Sequence, residues 1–192
     1  GSQEEVLLLT AEENGGRMAT RRDLAAKLRL SEVRMEELLR PLLERGELHL
    51  LRGEYVVHRS YLLNACERGK AILSAYHEAD ALSAGMPKEE FKSRLSRELR
   101  LADGKVVEDI VSAMEEAGQI RCSEKTTALR DFQIRYTPEA EAMRQRLLQL
   151  YRGRRFSFPS TEEAISQEKD KAGAGRIVEA LAEEGRLVRL DY

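Results

Sequence analysis

The sequence predicts a mainly helical α+β fold in which one helix-and-hairpin unit occurs three times. In each unit an apolar helical stripe is followed by charged residues, a glycine and an extended apolar stretch. The three glycines are Gly46, Gly118 and Gly185. Glycine readily takes the left-handed conformation of a helix C-terminal cap, after which the chain can turn back into a strand. Helices followed by such a hairpin form a winged-helix domain, so we predict a tandem array of three winged-helix domains.

The first unit is predicted to span residues 3–59. Thr20 and Ser31 are residues that favour helix N-caps. Pro41 lies inside the helix that follows Ser31 and should bend it. A glycine turn at residues 52–54 separates two apolar runs and predicts the wing hairpin. The predicted elements are helices at 4–13, 21–28 and 32–45, and strands at 47–51 and 55–58.

The second unit is predicted to span residues 60–137. Gly85-Met86-Pro87 should end its long first helix, because proline suits the first turn of a new helix. Asp103 is expected to cap the third helix. The predicted elements are helices at 61–82, 87–95 and 104–117, a long wing tip at 124–129, and a strand at 132–136.

The third unit is predicted to span residues 138–192. An extended link is expected at 156–159, and only one wing strand follows Gly185, so this wing is predicted to be truncated. Because each unit is small and no Gly/Ser-rich linker separates them, neighbouring units should pack together. The helix-start signals are Thr137-Pro138, the capping box of Ser160 with Glu163, and Asp170.

Composition restricts the possible functions. The 192 residues carry a net charge of −2, so coating of DNA through overall positive charge is not expected. The apolar runs are too short for a signal peptide or a membrane span, which predicts a cytoplasmic protein that binds no membrane. Cys66 and Cys122 form no paired metal motif and are expected to be small buried residues of a reducing compartment.

The sequence offers no catalytic apparatus. It has no phosphate-binding loop and no nucleophile elbow, and Gly173 and Gly175 lie inside a helical stripe. His49 and His58 flank one predicted hairpin, but no cysteine or carboxylate is in register with them to complete a zinc site. We therefore predict a chain that is not an enzyme and that holds no metal or cofactor.

Basic residues are the candidates for contact with nucleic acid. Cations bind phosphates, and the start of the last helix is where helix-turn-helix proteins meet nucleic acid. The second unit carries a cluster of basic residues, which consists of Lys88, Lys92, Arg94, Arg97 and Arg100. The alternative is that all of these are ordinary solvated charges interleaved with glutamates. The candidate RNA-binding residues are Arg152, Arg154, Arg155, Lys169, Lys171 and Arg176 in the third unit, and Lys125 and Arg130 at the second wing.

Residues 73–91 resemble the C-terminal winged-helix region of the bacterial selenocysteine-specific elongation factor SelB. The family's Asn-Pro is replaced here by Asp80-Ala81. The segments that carry the resemblance are Tyr76-His77, Gly85-Met86, Lys88-Glu89-Glu90, and, in the third unit, Tyr136-Thr137-Pro138 and Phe158-Pro159.

This resemblance implies a function for the chain. It would be the non-catalytic segment that links the GTPase and tRNA-binding body of the factor to recognition of the SECIS hairpin in messenger RNA, and it would contact RNA itself. The implied partners are the SECIS hairpin, the ribosome and the rest of the factor, including a fourth winged-helix unit. The chain would be a monomer, and GTP and Mg²⁺ would bind to other domains of the factor.

A different function class is also open. A DNA-binding transcription regulator or a protein-interaction winged-helix array would share the predicted fold. The predicted helix at 32–45 alternates glutamate and arginine, which suits packing against protein better than insertion into a nucleic-acid groove.

Overall fold

A computed structural model describes residues 2–152 and 161–183. These residues group into two compact bodies. The N-terminal body is residues 1–73 with 87–130, and the C-terminal body is residues 74–86 with 131–192. The helices are α1 (Ser2–Asn14), α2 (Arg21–Leu28), α3 (Glu32–Glu44), α4 (Arg59–Ala79), α5 (Lys88–Leu99), α6 (Gly104–Glu116), α7 (Pro138–Arg152), α8 (Thr161–Ser166) and α9 (Lys171–Glu183), and the strands are β1 (Leu48–Leu51), β2 (Tyr55–His58), β3 (Met86–Pro87), β4 (Ile120–Cys122) and β5 (Thr126–Leu129).

The first three helices and the β1–β2 hairpin follow the predicted order closely. Thr20 and Asp23 form a complete capping box at the start of α2, and Ser31 accepts a hydrogen bond from the Arg34 N–H at the start of α3. Gly46 takes a φ of +72°, the left-handed conformation that turns the chain from α3 toward β1. The strands pair antiparallel from Leu48 opposite His58 to Leu51 opposite Tyr55. The core beneath them is aliphatic and includes Leu7, Leu24, Leu39, Leu42 and Leu48.

The second helix-and-hairpin set departs from prediction at its wing. The predicted strand at 132–136 is wrong, and the predicted tip at 124–129 contains the strand β5 instead. Ser123 closes a short turn, since its N–H donates to the Thr126 carbonyl at 2.8 Å. The strands then pair from Ile120 opposite Leu129. Thr127 is buried, so this polar residue belongs to the packed face of a strand and not to an exposed tip.

The remaining helix bounds of this set shift modestly. Helix α5 runs to Leu99, four residues beyond the expected end, and Arg100 caps it in the left-handed conformation with φ +56°. Pro87 precedes α5, and with Met86 it forms β3 at the edge of a three-stranded sheet in the order β3–β5–β4. Asp103 caps α6 as predicted, and Gly118 follows that helix with φ +70°.

The C-terminal body packs α7, α8 and α9 around an apolar core that includes Leu147, Ile177 and Leu181. Thr137 accepts a hydrogen bond from the Ala140 N–H at 3.1 Å at the start of α7, as its position predicts. Asp170 likewise accepts from the Gly173 N–H at 2.9 Å at the start of α9. The predicted link at 156–159, the Ser160 cap and the third wing lie outside the described residues.

The helices and small sheets agree with the predicted α+β class. No helix in the described ranges is long and apolar enough to cross a membrane.

Candidate nucleic-acid interface

The third unit places several candidate cations near the start of α9. Asp170 caps this helix, which puts Lys169 just before its first turn and Lys171 at its first residue. Both lysines are exposed, and no carboxylate oxygen among the described residues lies within 4 Å of either ammonium nitrogen. Arg152 is exposed at the end of α7. Arg154 and Arg155 lie outside the described residues.

Arg176 differs from these lysines because it has an acidic partner. Its guanidinium forms an ion pair with Asp80, the residue that stands where the related family has asparagine. Both residues belong to the C-terminal body, and Leu82, two residues on, packs against that body's core. A contact between Arg176 and RNA would therefore compete with Asp80.

The second wing holds its two candidates at opposite ends of β5. Lys125 lies in the turn, where its carbonyl accepts a hydrogen bond from the Lys88 N–H at 2.9 Å. Arg130 follows the last residue of the strand, and its carbonyl accepts from the Arg121 guanidinium at 3.5 Å. The two positions are five residue steps apart along an extended strand, which separates them by about 17 Å. The wing therefore carries two separate basic positions and not one patch.

The basic cluster of the second unit, at residues 88–100, is partly neutralised by nearby carboxylates. Lys92 lies 3.3 Å from Glu89 and 3.7 Å from Glu108, and Arg94 lies 2.7 Å from Glu90. Among the described residues, no ion pair involves Lys88, Arg97 or Arg100. Helix α6 packs beside this cluster. It carries one cation, Lys105, and four acidic residues, Glu108, Asp109, Glu115 and Glu116.

The third helix of each of the first two units, α3 and α6, is not basic. In winged-helix proteins the third helix is the one that normally enters a groove of nucleic acid. Helix α6 carries four carboxylates and one lysine, and α3 carries four glutamates and two arginines. Neither surface suits contact with phosphates.

The start of α6 is also covered by the tip of the first wing. The Arg52 N–H donates to Asp109 Oδ2 at 2.6 Å, and the Arg52 guanidinium contacts the Asp103 carboxylate. The hydrogen bond from Arg52 lowers the pKa of Asp103, and the bond to Asp103 raises the pKa of Arg52. No local pattern in the sequence predicts this contact, because an exposed wing arginine carries no signal of a partner about fifty residues away.

Helix α4 packs closely on α5 and α6 within the second unit. A Cβ atom on Gly69 would lie 2.5 Å from Met114 Cε of α6 and 3.2 Å from Phe91 Cζ of α5. One residue later, the Lys70 ammonium donates to Gln119 Oε1 at 3.1 Å. The missing side chain at position 69 is what lets α4 pack closely on these helices.

The described residues contain no group of three or more His, Cys, Asp or Glu side chains that could hold a metal ion. Cys66 is buried and Cys122 partly buried, and neither forms a disulfide. Burial raises the pKa of both thiols, as expected of packed side chains.

Comparison with known proteins finds a family that residues 70–129 resemble. No curated protein sequence matches the chain. One similar solved structure is the mRNA-binding domain of elongation factor SelB from E. coli in complex with SECIS RNA, with 17% identity and a TM-score of 0.47 over 67% of this chain and 97% of that one. Residues 70–129 match the family described as "Elongation factor SelB, winged helix". This match runs from α4 to the end of β5, and it confirms the resemblance found in residues 73–91.

Proposed function

Taking residues 70–129 as a SelB-type winged-helix domain, we propose that the chain is a non-catalytic C-terminal segment of a selenocysteine-specific elongation factor. It links the GTPase and tRNA-binding body to recognition of the SECIS hairpin. In this proposal three winged-helix units span residues 3–59, 60–137 and 138–192. The observation that carries the proposal is the family match on a domain with the helix, glycine and hairpin order of a winged helix.

The linking role is supported by the contacts between the first two units. Helix α4 begins directly after the first wing, where the Arg59 N–H donates to the Glu47 carbonyl at 3.0 Å. Gly69 packs α4 on α5 and α6 within the second unit, and Arg52 ties the first wing to the start of α6. Contacts between the first wing and α6 resist bending between the two units, which is the property that a spacer needs.

The RNA-binding role is assigned to the candidate cations, chiefly those of the third unit. Lys169 and Lys171 are exposed on either side of Asp170, whose carboxylate caps the start of α9. Arg152, Arg154 and Arg155 precede α8, and Arg176 lies on α9. Lys125 and Arg130 provide the additional contacts of the second wing.

Titration of the full chain with a SECIS hairpin tests the RNA-binding role. We expect salt-sensitive binding, with a scrambled hairpin as the RNA control. Changing Lys169 and Lys171 to Gln should weaken binding and lower the slope of log K against log salt by about 1 for each lost phosphate contact. Changing the exposed Lys27 and Arg17 of the first unit to Gln is the matched control. If both double variants lose the same affinity for the hairpin, the assignment of Lys169 and Lys171 to RNA contact is refuted. If the unaltered chain does not bind the hairpin, only the linking role remains.

The other parts of the proposal concern partners. The chain would act at the ribosome as a monomer in the cytoplasm, joined to the rest of its factor, whose other domains would bind GTP and Mg²⁺. Sedimentation of the chain at several concentrations tests the monomeric state, which a concentration-dependent increase in mass would contradict.

A protein-interaction array is the second candidate function, and the surface of α3 favours it. That helix exposes Val33 among glutamates and arginines, and Val33 is 71% exposed. A DNA-binding regulator would require a basic third helix, and α3 and α6 do not supply one. Selection of a palindromic DNA site by the chain would favour the regulator over both other functions.

A further inference from the structure

The turn between α8 and α9 carries two candidate cations and two carboxylates. Lys169 and Lys171 alternate there with Glu168 and Asp170. A carboxylate beside such a lysine would repel the phosphates that the lysine is proposed to bind. Asp170 has a local role, because it accepts a hydrogen bond from the Gly173 N–H as the cap of α9. The Glu168 side chain instead contacts α7.

This contact joins Glu168 to Arg146 at two points. The Arg146 guanidinium donates from Nε to Glu168 Oε1 at 2.9 Å and from Nη2 to Glu168 Oε2 at 3.0 Å. Two parallel bonds of this kind are the geometry in which arginine holds a carboxylate most specifically. The Glu168 side chain is only 10% exposed. The pair therefore differs from exposed single-bond ion pairs, which contribute little to the order of a surface.

The other bonds of the turn are local. The Glu168 N–H donates to the Ile165 carbonyl at 3.0 Å at the end of α8, and the Ala174 N–H donates to the Asp170 carbonyl at 2.9 Å at the start of α9. These bonds shape the turn within the α8–α9 pair. The contact with Arg146 sets where the turn lies against α7.

Arg146 also changes the charge balance around the lysines. The turn and its anchor together hold three cations, Arg146, Lys169 and Lys171, against the two carboxylates. Arg146 neutralises Glu168, and the Gly173 N–H takes up a hydrogen bond of Asp170. Neither carboxylate is therefore left to cancel the attraction of the two lysines for phosphate.

We propose that Arg146 and Glu168 are positioning residues, which hold the turn at 167–170 so that Lys169 and Lys171 face the phosphates of the SECIS hairpin. The proposal rests on the proposed function, which assigns RNA contact to these lysines. Lys169 directly follows the anchored residue, so its backbone is fixed before RNA arrives. A turn that is already ordered avoids the entropy loss that RNA binding would otherwise include.

Glu168→Gln separates positioning from charge, because the two effects have opposite signs. The variant removes a negative charge beside the lysines and releases Arg146, so electrostatics alone would tighten binding of the hairpin. Loss of the two-point contact should instead weaken binding by about fivefold. The matched control is Glu179→Gln, which removes an exposed carboxylate from α9 and should not weaken binding. Equal or tighter binding by Glu168→Gln, or an equal loss in both variants, would overturn the proposal.

Arg146→Lys tests the other side of the contact. Lysine keeps the positive charge but lacks the planar head with two donors, so affinity for the hairpin should fall about as far as in Glu168→Gln. In both variants the NMR order parameter of the Lys169 N–H should fall, while that of the Ile177 N–H in the core of α9 stays unchanged. An unchanged order parameter at Lys169, or an equal fall at Ile177, would refute the positioning role.

Failure of the proposed function gives a different result. If the unaltered chain does not bind the hairpin, the RNA-binding role is refuted and this proposal with it. If the unaltered chain binds, and the double change of Lys169 and Lys171 to Gln weakens binding but Glu168→Gln does not, only the positioning role is refuted.

Discussion

A methyl group on Gly69 should weaken the packing of α4 on α5 and α6. Two effects oppose each other there. Alanine is favoured over glycine inside a helix by about 1 kcal/mol. The new Cβ would, however, lie 2.5 Å from Met114 Cε and 3.2 Å from Phe91 Cζ. Overpacking of this kind typically costs about 1–3 kcal/mol.

The neighbours decide which effect is larger. Met114 Cε is the end of a flexible side chain and can move, but Met114 is only 3% exposed and has little free space to enter. Phe91 is fully buried and its ring is rigid. We therefore expect Gly69→Ala to lower the free energy of unfolding by about 1 kcal/mol.

A double-mutant cycle isolates the contact. Met114→Ala alone should cost about 2–5 kcal/mol through the cavity that it leaves. In that background the added methyl group fills space instead of overlapping, so Gly69→Ala should stabilise by about 1 kcal/mol through helix propensity. The coupling between the two changes is then about 2 kcal/mol.

Urea unfolding of the full chain measures this coupling. The chain has no tryptophan, so far-ultraviolet circular dichroism follows the helices. Labelling of Cys66 and Cys122 reports on the N-terminal body, to which both residues belong. If Gly69→Ala stabilises the unaltered chain by as much as it stabilises Met114→Ala, the close packing at α4 is not what favours glycine.

Three further predictions concern the same body. Arg52→Ala should raise the pKa of Asp103 toward its ordinary value, which NMR titration measures. Because folding lowers this pKa, the stability that Arg52 contributes is fully present at a pH above the ordinary aspartate pKa. It is lost as the pH falls through the pKa of Asp103 in the folded state. Thr20→Ala removes the α2 cap and should lower the free energy of unfolding by about 1 kcal/mol in urea. Leu39→Ala, in the core of the first unit, should cost about 2–5 kcal/mol in the same assay.

The predictions for Arg52 and Leu39 each have a matched control. Arg40→Ala removes an exposed arginine that has no ion pair among the described residues, and it should leave the Asp103 titration unchanged. Leu63→Ala truncates a side chain that is 56% exposed and should cost far less than Leu39→Ala. An unshifted Asp103 pKa in Arg52→Ala, a Thr20→Ala variant as stable as the unaltered chain, or equal costs for the two leucines would contradict the corresponding argument.

The correct sequence predictions depend on chemistry within a few residues. The α2 and α3 caps at Thr20 and Ser31 are satisfied by N–H groups three residues away. Gly46 and Gly118 end their helices because glycine takes positive φ without a steric penalty. Neither kind of signal needs knowledge of the rest of the fold.

The wrong strand shows where local signals fail. Residues 132–136 have strand-like composition, but Phe132 is buried by stacking on His77 at 3.6 Å and forms no strand. Thr126–Leu129 looks like a polar tip, yet it pairs with β4. Burial by residues distant in sequence selected the strand, since β propensity largely reflects packing on neighbours.

The amino-acid sequence by itself determined the helix boundaries set by caps and glycines, the first wing, the relation of residues 73–91 to a known family, and the positions of the cations. Only the tertiary structure decided which cations are engaged, such as Arg52 with Asp103 and Arg176 with Asp80, and which helix face stays exposed. The reason is distance along the chain: caps and turns act over three or four residues, whereas ion pairs and packed faces join residues dozens of positions apart, which are neighbours only after folding.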